Sequence, residues 1–371
     1  MSGDLDLHLR LQKLQLAETA AFSVDSLEAE YVLAVAAQNG VDNTSLIAAT
    51  SSDYNIRIFT ENNLANIGAI KGHTDVISGV VFAKEQQSLL FSSSHDHTVR
   101  CWDTRTGYNK EVQSFQGHEA LANVFTSIDV NSDDRLVCAG TEAADHDVNI
   151  LFWDRRKTTL LGCYSESHQD DITQVCFHPA KPNCLGTCST DGLVCVFDIN
   201  KTSEDDALML TLNAESSVDR IGWCGSEVSS VYCLTDIGTF HIWDSQEGDS
   251  LQSRSDIKES LLEDCSVDYL VDCVPVNSES SPLLVAGTNS GVVRILDLSH
   301  NDIKTVTSLS GGHRDKIRCC HWNSQSERLV TGGEDSLLCQ WSLSEGAQTE
   351  KTPNENKMKA KKKTPKRGTP Y

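Results

Sequence analysis

Seven short apolar runs, each closing on an aromatic or aliphatic residue, recur along this chain and restrict its folding more than any other feature. They are NIRIF (55–59), TVRCWD (98–103), NILFWD (149–154), LVCVFD (193–198), TFHIWD (239–244), VVRILD (292–297) and LLCQWS (337–342). The closing residues Phe59, Trp102, Trp153, Phe197, Trp243, Leu296 and Trp341 are separated by 43, 51, 44, 46, 53 and 45 positions. A second mark precedes several runs: Gly72-His73, Gly117-His118, Ser167-His168 and Gly312-His313. Between the marks lie further alternating runs, such as VISGVVF (76–82) followed by SLLFSSS (88–94). Period-two alternation broken by turn residues predicts four short strands per unit, hence a small antiparallel sheet. Such a sheet cannot bury both faces alone, so units must stack, and radial stacking leaves only short, protected edges. Seven closing strands predict seven blades. Because a repeat array grows blade by blade, 371 residues need not divide into several domains.

These endings and the Gly-His marks resemble the WD-repeat family, over about residues 17–343. A repeat of that family is about 40–45 residues, so the two long intervals imply loop insertions. The resemblance implies that each repeat supplies the outer strand of one blade and three inner strands of the next. The segment Gln15–Phe22 would then complete the blade that ends at Trp341 and close the ring. The expected architecture is an all-β, seven-bladed WD-repeat β-propeller over residues 15–343, closed by an N-terminal strand. An N-terminal extension (1–14) precedes it and a disordered basic tail (344–371) follows.

In the best repeats a histidine, a hydroxyl, an aspartate and a tryptophan keep a fixed rhythm. Blade two has His73, Ser92, Asp96 and Trp102; blade seven has His313, Thr331, Asp335 and Trp341; blade four has His168, Thr187 and Asp191, with Phe197 in the tryptophan place. One reading is a hydrolase triad. Three copies in one chain, with no nucleophile elbow and no oxyanion-hole signature, favour a structural role instead. The resemblance implies a buried hydrogen-bond chain running from aspartate to histidine to hydroxyl to indole, which rigidifies a blade when complete. Blades one, five and six lack most of the pattern, with Ile237 and Ser290 at the aspartate position, and are expected to be the less rigid side.

Other clusters point to no cofactor. His95-Asp96-His97 has the look of a metal pair but falls in a turn where Asp96 already has a task. The 14 cysteines include no CxxC pair; Cys184 and Cys188 form a lone CxxxC, and Cys319 and Cys320 are adjacent. Gly311-Gly312 and Gly332-Gly333 lack a following helix to cradle phosphate. The expectation is therefore a chain that is not an enzyme and carries no metal.

A propeller has two unlike faces. The Gly-His loops and the turns between second and third strands (94–97, 142–148, 333–336) share one, called here the first face. The connections after the closing strand, including Ser203–Asp206 and Ser245–Ser260, are expected on the second. There the boxes Trp102-Asp103-Thr104-Arg105 and Trp153-Asp154-Arg155-Arg156 fit W-D-x-R in consecutive blades. The resemblance implies that Trp102, Asp103, Arg105, Trp153, Asp154 and Arg156 form the box by which WD-repeat substrate receptors dock on the adaptor of a cullin-RING ubiquitin ligase. Arg105 and Arg156 would be the contacting side chains, since a guanidinium fork pairs bidentately with carboxylates. The plain alternative is two solvated arginines at strand ends.

Charge separates the body from its tail. Residues 351–371 carry eight basic side chains against Glu355, a balance of +7, and the net charge of −22 therefore leaves −29 on the rest. An acidic body repels phosphate, so it is not expected to bind nucleic acid; weak RNA contact is left to the tail. Lys359, Lys361, Lys362, Lys363, Lys366 and Arg367 read as a nuclear localisation signal, with the cytoplasm as the second expected location. No apolar run reaches membrane-span length, and the N-terminus MSGDLDLHLRLQKL shows no secretory h-region. Together these features predict an intracellular protein-interaction scaffold: either a ligase substrate receptor or a structural subunit of a stable nuclear assembly, in ribosome biogenesis or chromatin.

Overall fold

A computed structural model describes residues 2–22, 30–38, 45–108, 110–117, 124–144, 147–259, 261, 265–274, 282–299 and 302–343. His118, Asp145, His146, Ser260 and the whole basic tail lie outside the described residues. The described strands form seven four-stranded antiparallel sheets. Six are built from consecutive strands. The seventh joins Ile317–Asn323, Arg328–Gly333 and Leu337–Leu343 to the N-terminal strand Leu14–Ala21. That strand runs antiparallel to the last, from Leu14 opposite Leu343 to Ala21 opposite Leu337. The ring is thus closed by pairing the two ends of the chain. Just beyond the junction, Phe22 meets Phe59 of blade one with centroids 5.6 Å apart, and the Arg57 guanidinium lies 4.6 Å over the Phe22 ring.

All seven closing residues fall on the third strands: Ile56–Thr60, Val99–Asp103, Ile150–Asp154, Leu193–Asp198, Phe240–Asp244, Val293–Asp297 and Leu337–Leu343. Their burial explains the repeat. Seven apolar clusters make up the core, and each draws its residues from two adjacent blades. Trp153, for example, is fully buried with Phe115 of blade two and Phe125 of its own blade, at 6.1 and 5.8 Å. The apolar surface therefore leaves water between blades, and no blade completes its own core.

The turns into the third strands are as regular. Tyr54, His97, Gly192, Gly238, Gly291 and Ser336 each stand five residues before a closing residue, and each has positive φ. The left-handed residue reverses the chain tightly, which suits Gly192, Gly238 and Gly291 and is tolerated at His97 directly after Asp96. His97 is thereby a turn residue. Among the described residues, no group of three His, Cys, Asp or Glu side chains is placed to hold a metal ion.

A ten-residue helix, α1 (Ser2–Leu11), leads into the closing strand and lies against the outer strand of blade six, Lys304–Leu309. A one-turn helix, α2 (Glu204–Ala207), fills the connection after the third strand of blade four, capped by Ser203, whose hydroxyl accepts from the Asp206 amide. No helix among the described residues is long and apolar enough to cross a membrane. One loop assignment from the sequence needs correction. Ser245–Ser260 does not lie wholly on the second face, because Ser250–Arg254 is the outer strand of blade five. Residues 255–259 follow it onto the first face, where Lys258 packs over Gly238.

Candidate functional site: channel and faces of the ring

On the first face, the loop entering each blade meets the turn between its second and third strands. In blade two the His73 Nδ1 lies 2.8 Å from Asp96 Oδ2 and its Nε2 2.7 Å from Ser92 Oγ, which accepts from Trp102 Nε1 at 2.9 Å. Blade seven repeats this through Asp335 (3.1 Å), His313, Thr331 (2.8 Å) and Trp341 (2.9 Å). Blade four has Asp191 (3.1 Å), His168 and Thr187 (2.8 Å), and stops there because Phe197 has no donor. Each aspartate also accepts backbone amides from both loops, as Asp335 does from Arg314 (2.8 Å) and Leu337 (3.2 Å). Ser92, Thr187 and Thr331 are fully buried, each sealed by its own blade, so no substrate carbonyl can reach the hydroxyl. The geometry is a clamp rather than an exposed nucleophile.

The electrostatics follow from the same contacts. Burial raises the Asp96 carboxyl, but hydrogen bonds from His73 and Thr98 outweigh it and hold Asp96 well below the ordinary carboxylate range. Asp191 and Asp335 are lowered in the same way against burial, by His168 and His313. Burial would lower His168; the hydrogen bonds to Asp191 and Cys195 outweigh it and lift the imidazolium to about 9.

Blades five and six lack the His–hydroxyl–Asp chain and hold smaller bridges at this level: Thr235 to Thr239 at 2.6 Å and the Ser216 hydroxyl to Asp236 at 2.7 Å in blade five, and Thr288 to Ser290 at 2.9 Å and the Asn289 amide to Asp268 at 2.6 Å in blade six. Blade one differs from its sequence-based expectation. Arg57 reaches Asp53 at 2.9 Å and also bonds Ser51 and Glu30, so an arginine-centred clamp stands where the other blades use histidine. The repeat pattern does not reveal it, because Glu30 lies far upstream of Arg57 and carries no Gly-His mark.

On the second face, Asp103 Oδ1 accepts from the Arg105 amide (2.9 Å) and Nε (3.0 Å), and Oδ2 accepts from Nη2 (2.7 Å). Asp154 holds Arg156 through the same three bonds at 3.0, 3.0 and 2.9 Å. The arginine side chains are 66% and 60% exposed. Trp102 and Trp153 are buried, so these two members of the boxes cannot touch a partner; they fix the strand end from which each arginine projects. The boxes are braced to one another, since Gln113 donates to the Arg155 carbonyl at 2.8 Å. Asp134 of blade three further accepts the Lys84, Glu85 and Gln86 amides of blade two at 2.7, 3.0 and 2.7 Å.

The first strands line a central channel whose residues sequence reasoning missed. Its first-face mouth is a cavity of about 720 Å³ on the side of blades one, five, six and seven, lined by Tyr31, Asp219, Arg220, Tyr269, Lys316 and Arg318 among others. Arg220 continues into the channel beside Asp272, whose carboxyl burial pushes up, with the Tyr232 hydroxyl 3.1 Å away. Alternation along the first strands was the only sequence signal for this lining, and it cannot distinguish channel from core.

The fold and these clamps define the class, and comparison with known proteins agrees. The family profile described as "WD domain, G-beta repeat" matches residues 65–103, 159–198 and 303–342, which end in the third strands of the three histidine-clamped blades, two, four and seven. The chain is 30% identical over 330 residues to WD repeat-containing protein GTS1 of Arabidopsis thaliana, covering 81% of this chain and 79% of that protein. The chain belongs to the WD-repeat family. It is also 29% identical over 334 residues to the WD repeat-containing protein 89 homolog of Dictyostelium discoideum, across 88% and 89% of the two chains. A shorter match of 25% over 181 residues, 48% of this chain and 38% of the other, is to DDB1- and CUL4-associated factor 13 of Dictyostelium discoideum.

Proposed function

We propose that this propeller is a non-catalytic scaffold that docks through its second face on the adaptor of a cullin-RING ubiquitin ligase and presents client proteins on its first. The carrying observation is the pair of boxes on adjacent, braced blades, each with a guanidinium held upright by a bidentate aspartate. Such preorganisation leaves little side-chain entropy to lose on binding. The partial match to a protein named as DDB1- and CUL4-associated supports the same reading. Because the clamp hydroxyls are sealed, the three His–hydroxyl–Asp sets contribute rigidity and no hydrolysis. The six-residue basic cluster from Lys359 to Arg367 directs import to the nucleus, and a reporter fused to residues 344–371 should accumulate there. An evenly distributed reporter would remove that part of the reading.

The decisive test is affinity purification with Arg105→Ala and Arg156→Ala combined. The parent protein recovers adaptor and cullin peptides and the double variant, equally folded, does not. Equal recovery by both rejects the docking site. A fixed set of nuclear assembly factors, with no adaptor in either, would favour a structural subunit instead.

A further inference from the structure

The outer strand of each blade carries an irregularity at one constant place. In blade three the ladder passes from Trp153 opposite Leu160 to Phe152 opposite Gly162, leaving Leu161 bulged outward. The equivalent bulges are Ile67 in blade one, Met209 in four, Leu251 in five, Val306 in six and Ala17 in seven. In blade two the ladder reaches Cys101 opposite Gln113, and Val112 takes the place. Six of the seven are large aliphatic residues. Ile67, Val112, Leu161, Met209 and Leu251 are 44–58% exposed, whereas Val306 is 8% exposed.

Helix α1 accounts for the exception. It packs on the strand that carries Val306, and Leu11 shares a buried cluster with Val306, with Leu7 against its edge. Leu7 and Leu11 stand one turn apart on the same helix face. Two polar side chains complete the seat: His8 faces Asp297 at 3.8 Å, and Arg10 pairs with Glu327. Blade six thus shows what covers such a bulge, namely a short amphipathic helix whose His8 and Arg10 face carboxylates.

The seat repeats between blades two and three with two arginines at its charged positions, Arg105 held by Asp103 and Arg135 3.4 Å from Asp133. Val112 stands for Val306, and Asp103 with its Arg105 for Asp297. By register, Arg135, two residues before Val137 opposite Trp153, stands for Glu327, two residues before Leu329 opposite Trp341. Arg105 and Arg135 are 66% and 68% exposed. The next seat round offers Leu161 and Arg156 but has Asn183 in the second place; among the described seats only that of blades two and three has an arginine at both.

We propose that the seat formed by Val112, Arg105 and Arg135 binds a short amphipathic helix of a partner protein, with two aliphatic side chains one turn apart over Val112 and carboxylates toward the arginines. This rests on the reading of the second face as the docking face, and names the element of the partner that enters it. Inverting α1 gives the probe: a helix-stapled, fluorescent peptide of Ser2–Lys13 carrying His8→Glu and Arg10→Glu, stapled because so short a helix is marginal in water. Titrated with the full chain, it binds saturably and more tightly than the stapled parent sequence. Val112→Asp, an exposed change that leaves the core alone, weakens it about tenfold or more, the effect of losing one buried aliphatic contact. Arg105→Glu with Arg135→Glu reverses the preference between the two peptides.

Absence of saturable binding, or binding indifferent to Val112→Asp and to the charge reversal, overturns the proposal. Adaptor capture read in parallel keeps the two claims apart. Adaptor loss on Arg105→Ala/Arg156→Ala without peptide binding sinks the helix seat alone, and peptide binding without adaptor sinks the ligase reading alone.

Discussion

Replacing Asp335 with alanine isolates the clamp of blade seven, the blade that also closes the ring. The carboxylate accepts from His313 Nδ1 (3.1 Å), the Arg314 amide (2.8 Å) and the Leu337 amide (3.2 Å). Arg314 is exposed, so water replaces the carboxylate there at little cost. The His313 side chain is fully buried, and its donor is left without an acceptor. An orphaned buried donor costs about 1–3 kcal/mol, and the histidine also orients Thr331 and Trp341 beyond it, placing the variant in the upper half of that range. The control is Ile237→Ala, which alters the equivalent place in a blade with no clamp to break and changes stability by less than about 0.5 kcal/mol. Urea unfolding followed by tryptophan fluorescence measures both, and Trp341 itself reports on blade seven. A midpoint for Asp335→Ala that coincides with those of the parent and Ile237→Ala would refute the clamp as a source of rigidity.

Two further outcomes follow from the same geometry. Asp96, Asp191 and Asp335 are held below their ordinary value of 3.8, so the stability they contribute is present above about pH 4 and lost as pH falls below it. His168, lifted from 6.5 to about 9, contributes stability that is complete below 6.5 and lost as pH rises through about 9. Melting temperature against pH should show both shoulders, and Asp191→Asn should flatten the alkaline one; an alkaline limb unaltered by Asp191→Asn would contradict the assignment. Hydrogen exchange should find the second and third strands of blades five and six less protected than those of two, four and seven. Blade one should group with the protected set through Arg57, and uniform protection round the ring would count against this.

The architecture was legible because its determinants are short-range. A closing Trp102 or Trp341, an aspartate six residues earlier and a hydroxyl four before that fall within one hairpin, and a single chain displays them at constant spacing. The partner strand for Leu337–Leu343 was legible for a different reason: one blade had three strands and one leading segment had no blade. What escaped depends on register or on distant pairs. Arg57 and Glu30 pair across a stretch of sequence that the repeat pattern does not mark, and Arg220 and Asp272 sit on first strands whose alternation serves channel and core alike. The outward bulges at Val112 and Leu161 appear only once the ladder is known. Residues 255–259 were assigned to the wrong face because the polar run Ser245–Ser260 conceals the strand Ser250–Arg254.

Ring closure is the claim from which the seven shared cores and both faces derive, and a cross-link tests it directly. Gln15 and Ser342 are ladder partners at opposite ends of the sequence, and neither is buried. With Gln15→Cys and Ser342→Cys introduced together, mild oxidation should yield an intramolecular disulfide joining the two peptides in a monomer, identified by mass spectrometry. Persistent free thiols at both positions, or a bond that forms only between two molecules, would mean that the ends do not meet and the ring is open.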